Sequence, residues 1–180
     1  MPVNPNLPDT IDVANALLAY LQAAQFNGTS NNIYVQSSSL SSDLQVKYPT
    51  GGVRIGRFKD PSDLLPPGSS NIIAEIHADD DISKRYTTGG RTNDYTDFPV
   101  VSMTNEDDST AAWLRMFSTR DSIIPYIIAH SQLGGAGNAL IVKLIPGGKY
   151  VEVFRGKWYL GYIMKVQVES QWVSQGGFTS

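Results

Sequence analysis

The sequence contains no cysteine, which removes disulfides, thiolate zinc sites and a cysteine nucleophile from consideration. Histidine is nearly as scarce, with only His77 and His130; neither has a second histidine one helical turn away, so no zinc-ligand spacing exists. Charged residues make up 17% of the chain, no Lys/Arg run occurs, and the formal net charge is −3. Counterion release on a nucleic-acid backbone needs a concentrated basic surface, so direct sequence-specific nucleic-acid binding is not expected. No apolar run approaches ~18 residues and the start, MPVNPNLPDT, lacks a basic and then apolar leader, so neither a membrane span nor an export signal is expected and the chain reads as cytosolic. Asn27-Gly28-Thr29 fits a glycosylation pattern but reads better as a turn. Internal repeats and interdomain linkers are also missing. The 180 residues therefore read as a single domain, 1–180, large enough to fold on its own core without a metal or disulfide staple.

Catalytic patterns are equally sparse. Gly134 to Asn138, GGAGN, has the composition of a phosphate loop but the wrong context: it follows a helix and enters a strand, with no Lys-Ser/Thr pair, and so reads as a helix C-cap. GGVRIG lacks the same lysine. Asp79, Asp80 and Asp81 lack the alternating acids and terminal glutamate of a calcium loop and read as a solvated charge run. Serines are plentiful, but no G-x-S-x-G elbow is present. The expectation is a non-enzymatic protein with no cofactor and no metal.

What is present is a pattern of elements. Asp9 or Thr10 can cap a helix running to about Phe26, with Ile11, Ala14, Leu17, Leu18 and Leu21 as its apolar stripe, stopped by Asn27-Gly28. NIYVQ and GGVRIGRF are short strand candidates, and NIIAEIHAD puts Ile72, Ala74 and Ile76 on a buried face and Glu75 with His77 on a wet one. FPVVSM resumes the sheet. Glu106, Asp107 and Asp108 then place negative charge at the start of a helix from Ser109 to about Leu133, with Trp113, Met116 and Phe117 toward the core. Pro125 should kink or break that helix by clashing with the carbonyl of Asp121. Ala139 to Ile145, a PGG turn, Tyr150 to Phe154, an RGK turn and a long last strand follow as a meander. The predicted class is α+β: a largely antiparallel or mixed sheet, two main helices packed on one face and a C-terminal three-strand meander.

The last strand is unusual. WYLGYIMKVQVESQW places Trp158, Leu160, Tyr162, Met164, Val166, Val168 and Trp172 on one parity and Lys165, Gln167, Glu169 and Gln171 on the other. The apolar parity reads as core rather than as a carbohydrate or base-stacking platform. At ~3.3 Å per residue the strand would span roughly 50 Å, longer than the ~40 Å diameter of a compact chain of this size. A second oddity is DDDISKRYTTGGRTNDYTD, residues 79 to 97, which has almost no core residues and reads as a projecting arm. Its Arg85, Tyr86, Arg91 and Tyr95 are residue types favoured at protein–protein contacts. Arg54, Arg57 and Lys59 form a basic tip that serves as a secondary contact.

The capped first helix, the loop-bearing antiparallel sheet, the second helix carrying RDSIIPYIIAHSQLGG and the closing YIMKVQVESQW together resemble the tail terminator, or tail completion, proteins of long-tailed bacteriophages. The resemblance spans most of the chain in element order, and the 79–97 arm looks like an insertion. It implies a non-enzymatic virion protein with helices on one side of a sheet. Such a protein forms a homo-oligomeric ring, typically a hexamer, at the head-proximal end of the tail after assembly in the host cytoplasm. Its partners would be the tail tube protein and a head-side connector protein. In such a ring the overlong strand would project unpaired backbone groups to a neighbour, and Lys165 and Glu169 become candidates for intersubunit or lumen-facing contacts. A head-closure or neck connector protein is the alternative within the virion, and a carbohydrate-binding or adhesin-like module is the alternative of another class.

Overall fold

The computed structural model describes residues 10–36, 42, 45, 51–56, 72–77, 84–88, 91–106, 108–129, 131–133, 139–154 and 157–173. Its elements are α1 (Thr10–Gln22), β1 (Val53–Ile55), β2 (Ile72–Ile76), β3 (Lys84–Thr88), β4 (Arg91–Glu106), α2 (Ser109–Ala129), β5 (Leu140–Phe154) and β6 (Lys157–Val173). The strands form one sheet in the order β1-β2-β4-β6-β5, with β3 pairing the start of β4. Only β1 and β2 run parallel. The class is α+β with a mixed, mostly antiparallel sheet.

Strand parity decides which face meets the helices. Leu160, Tyr162, Met164, Val166 and Val168 of β6 are buried in one cluster with Phe98 and Val100 of β4, Leu17 and Leu21 of α1, and Met116, Ile123 and Ile127 of α2. This is the alternation read from the sequence, and both helices cover the same face. Within the helices two assignments change. Ile11 is 63% exposed and Val13 takes its place in the core, while Phe117 is 37% exposed. α1 also ends at Gln22 rather than Phe26. NIYVQ is not a strand: it holds an isolated bridge, Gln25 to Asn32, the Val35 N–H donates to the Ile72 carbonyl and the Val35 carbonyl accepts from the Gly52 N–H, and Ile33 and Tyr34 are buried.

The opposite face is not wet at its centre. Ile73, Val101, Met103 and Tyr159 are buried there, and Glu75 is fully buried among them. Alternation in NIIAEIHAD correctly separates the two faces of β2, but a carboxylate in the second set implied solvent where the fold supplies cover.

Pro125 does not break its helix, and α2 runs through it to Ala129. Proline cannot donate to the carbonyl four residues back, that of Asp121. Asn27 supplies the missing donor: its Nδ2 gives a 2.8 Å hydrogen bond to the Asp121 carbonyl, and its backbone N–H donates to Ser122 Oγ. At the helix start Asp108 Oδ2 accepts from the Ala111 N–H at 2.8 Å, so the acidic run expected only to favour the helix dipole also supplies an N-cap.

The meander is likewise simpler than expected, with β5 and β6 forming a two-stranded unit. Pro146-Gly147-Gly148 is not a turn but lies inside β5, where Pro146 pairs with Met164 and Lys149 with Tyr162, so one extra residue is accommodated as a bulge. A second bulge falls between Ile141 and Lys143. Gly147 is required by close approach, because a Cβ there would sit 2.5 Å from the Ile163 carbonyl oxygen.

The length of β6 also has an internal answer. Arg91 to Glu106 of β4 pairs with Val173 to Trp158 without a register break, while β5 pairs with β6 on the other side between Lys157 and Glu169. β6 is thus a central strand over most of its length. Its end, residues 170–173, is paired on one side alone among the described strands, so the overlong strand is mostly internal rather than projecting.

Candidate functional site

The 79–97 segment and the end of β6 build the first candidate surface. Where it is described, the segment is strand: Lys84–Thr88 is β3, and Arg91 onward belongs to β4. Together with the end of β6 these strands form a three-stranded ribbon. Threonines and a tyrosine at β3 positions, Tyr86, Thr87 and Thr88, suit a pleated surface with little core to fill. The polar composition that suggested a loop thus also permits a hairpin.

Register sorts the predicted contact residues by face. Tyr86 lies opposite Asn93, Arg91 opposite Val173, and Tyr95 between Lys84 and Glu169. Positions 86, 91 and 95 therefore share a face with Lys165 and Glu169, the face opposite the helices. Arg85 pairs with Asp94 and occupies the other face. On the shared face Asp97 accepts a 2.8 Å hydrogen bond from Gln167 Nε2 and lies 3.6 Å from Lys165 Nζ. The Lys165 side chain is 45% exposed, so this pair holds geometry rather than contributing much stability.

The basic tip divides differently. Arg54 lies against the buried carboxylate of Glu75, bonded through Nε and Nη2, and this pairing commits it to a neutralising role. Arg57 and Lys59 lie outside the described residues. His77 Nε2 is 4.0 Å from Glu75 Oε2. Burial pushes the Glu75 carboxyl above its ordinary range, and the Arg54 guanidinium pulls it part of the way back. His130, Asp79 to Asp81 and the Gly134 to Asn138 stretch lie outside the described residues. Among the described residues no group of His, Asp and Glu side chains is arranged to hold a metal.

A cleft of about 720 Å³ runs between the segment that follows α1 and helix α2, lined by Phe26, Asn31, Leu114, Arg115, Asp121 and Ser122 among others. Its Ser122 hydroxyl accepts from the Asn27 N–H and the Asp121 backbone carbonyl from Asn27 Nδ2. These groups join the helices, as do Tyr20 and Tyr126. The Tyr20 hydroxyl donates to the Tyr126 carbonyl at 3.0 Å, and the two rings lie 4.9 Å apart.

No protein-family model matches the chain, and no curated protein matches it. Among solved structures, a chain of the virion of a native gene transfer agent particle is similar at 10% identity and a TM-score of 0.37, over 74% of this chain and 90% of that one.

Sequence reading missed a second surface. The outer side of α2 exposes Leu114 (64%) and Ile128 (70%), and beside it Lys149 of β5 holds its ammonium 4.8 Å from the Trp113 ring centroid and 5.6 Å from that of Phe117. Arg120 lies 5.1 Å from the Phe117 centroid. The result is an apolar and cationic patch along α2 and the outer strand. Its only signal in the sequence was the weak amphipathicity of α2, where apolar residues recur on every side.

Proposed function

We propose that the protein is a non-enzymatic structural component of a long-tailed phage particle, a tail terminator whose ring closes the tail tube and joins it to the head. The observation that carries this reading is the fold: two helices on one face of a mostly antiparallel sheet, the architecture that the tail terminator resemblance implies. The engagement of the cleft's polar groups in holding the helices together agrees with a structural role. Tyr159 and Tyr162 of β6 are buried, which argues against these two rings serving as a glycan-stacking platform.

Ring formation follows from heterologous contacts whose rotation closes. Negative-stain imaging and native mass spectrometry of the purified protein, with and without tail tubes, test the reading. Rings capping the tube ends are expected. A ring that ignores tubes but binds a head-side connector points instead to a neck or head-closure protein, and a strict monomer in every mixture overturns both.

A further inference from the structure

Asn27 is the one asparagine in the sequence that precedes a glycine. The pair forms the tip of a tight turn. The Thr29 N–H donates to the Phe26 carbonyl at 3.1 Å, and Gly28 holds a φ of 72°, a left-handed conformation natural to glycine. Both residues are exposed. A Cβ built on Gly28 would meet nothing within 4 Å, and the Gly28 N–H has no backbone acceptor among the described residues.

The same turn is a joint. Asn27 Nδ2 donates to the Asp121 carbonyl at 2.8 Å and the Asn27 N–H to Ser122 Oγ at 3.2 Å, so one residue ties the segment after α1 to the middle of α2. A carboxylate in place of that amide is acceptor-only. It would lose the donor that Pro125 makes necessary and set a negative charge against the Asp121 carbonyl oxygen.

We propose that Asn27 is a self-modification site, where deamidation to aspartate or isoaspartate unties α2. The Gly28 backbone nitrogen attacks Asn27 Cγ and forms the new C–N bond of a cyclic succinimide. The Cγ–Nδ2 bond breaks, and the amide nitrogen leaves as ammonia with the proton that the Gly28 nitrogen gives up. Water then adds to either ring carbonyl and breaks a ring C–N bond, giving aspartate or, with the chain routed through the side-chain carbonyl, isoaspartate. Gly28 suits the nucleophile's part because no side chain shields its nitrogen. While Nδ2 is bonded to Asp121 the side chain is held in place, so the reaction draws on the molecules in which this tie has opened locally. The product cannot remake the bond, and each conversion is one-way.

The test holds purified, folded wild-type protein and Gly28→Ala in mildly alkaline buffer and maps both over time by peptide mass spectrometry, with isoaspartate identified by fragmentation. Aspartate and isoaspartate should accumulate at position 27, while Asn31 and Asn32, which precede Asn32 and Ile33, stay amides. Conversion in Gly28→Ala should be several-fold slower. A second arm compares urea midpoints of fresh wild type, aged wild type and Asn27→Asp, which supplies the carboxylate without ageing; the last two should unfold at lower urea than the first. An intact amide at Asn27, conversion no faster than at Asn31, conversion in urea-unfolded protein only, or an undiminished rate in Gly28→Ala overturns the site. Midpoints equal to fresh wild type in both aged protein and Asn27→Asp overturn the untying of α2. Neither result bears on the ring reading.

Discussion

At the scale of single residues, two side chains hold positions that local sequence rules disfavour. Asn27 replaces the donor that Pro125 lacks. Removing it leaves the Asp121 carbonyl without that bond, so Asn27→Ala should cost about 1 kcal/mol in urea unfolding. In a Pro125→Ala background residue 125 regains its N–H, and the penalty of Asn27→Ala should shrink. Equal penalties in the two backgrounds would show that Asn27 acts through some other contact. Glu75 is the other case. Burial raises its carboxyl above the ordinary 4.5, so the folded protein retains the proton at pH values where the unfolded chain has lost it. Its contribution is therefore fully present below 4.5 and is lost as pH rises through the higher folded value. Wild-type stability should fall across that window relative to Glu75→Gln, which cannot ionise there. Parallel denaturation midpoints for the two proteins across the acid range would contradict the raised carboxyl.

At the scale of elements, the bulge in β5 rests on Gly147. A methyl group there meets the Ile163 backbone, with the nearest atom at 2.5 Å, whereas a methyl group on Gly148 meets nothing within 4 Å. Gly147→Ala should cost about 1–3 kcal/mol, as overpacking does, and Gly148→Ala under ~0.5 kcal/mol, as surface changes do. Thermal melts separate the two, and equal effects would place the close approach elsewhere. This element also marks what sequence reading can reach. Long alternation identified the buried side of β6 from Leu160 to Val168, because periodicity and burial share one cause. Pro-Gly-Gly was misread because a turn and a bulge demand the same residues. The burial of Glu75 was hidden because period-two alternation separates faces without saying what covers each. The hairpin within residues 79–97 was hidden because strand pairing there is set by the partner strand rather than by a hydrophobic set of its own.

At the scale of the whole molecule, the ring subunit proposed above would need a surface for its axial partner as well as one for its neighbours, and the ribbon is the candidate for the former. Positions 86, 91 and 95 share one face with Lys165 and Glu169, while position 85 belongs to the opposite face. A partner docking on the shared face would meet Arg91 and Tyr95 together and approach from the side that the helices leave free. Arg91→Glu should then abolish attachment of tails to heads in a complementation assay, whereas Arg85→Glu should be tolerated. Each change exchanges one charged residue for another at a ribbon position, so melting temperatures should stay within the small range of surface substitutions and subunit assembly should persist. Normal-length, head-joined tails from Arg91→Glu would remove this face from the joint. Failure of Arg85→Glu alone would move the joint to the ribbon's helix-side face, where Asp94 is its cross-strand neighbour.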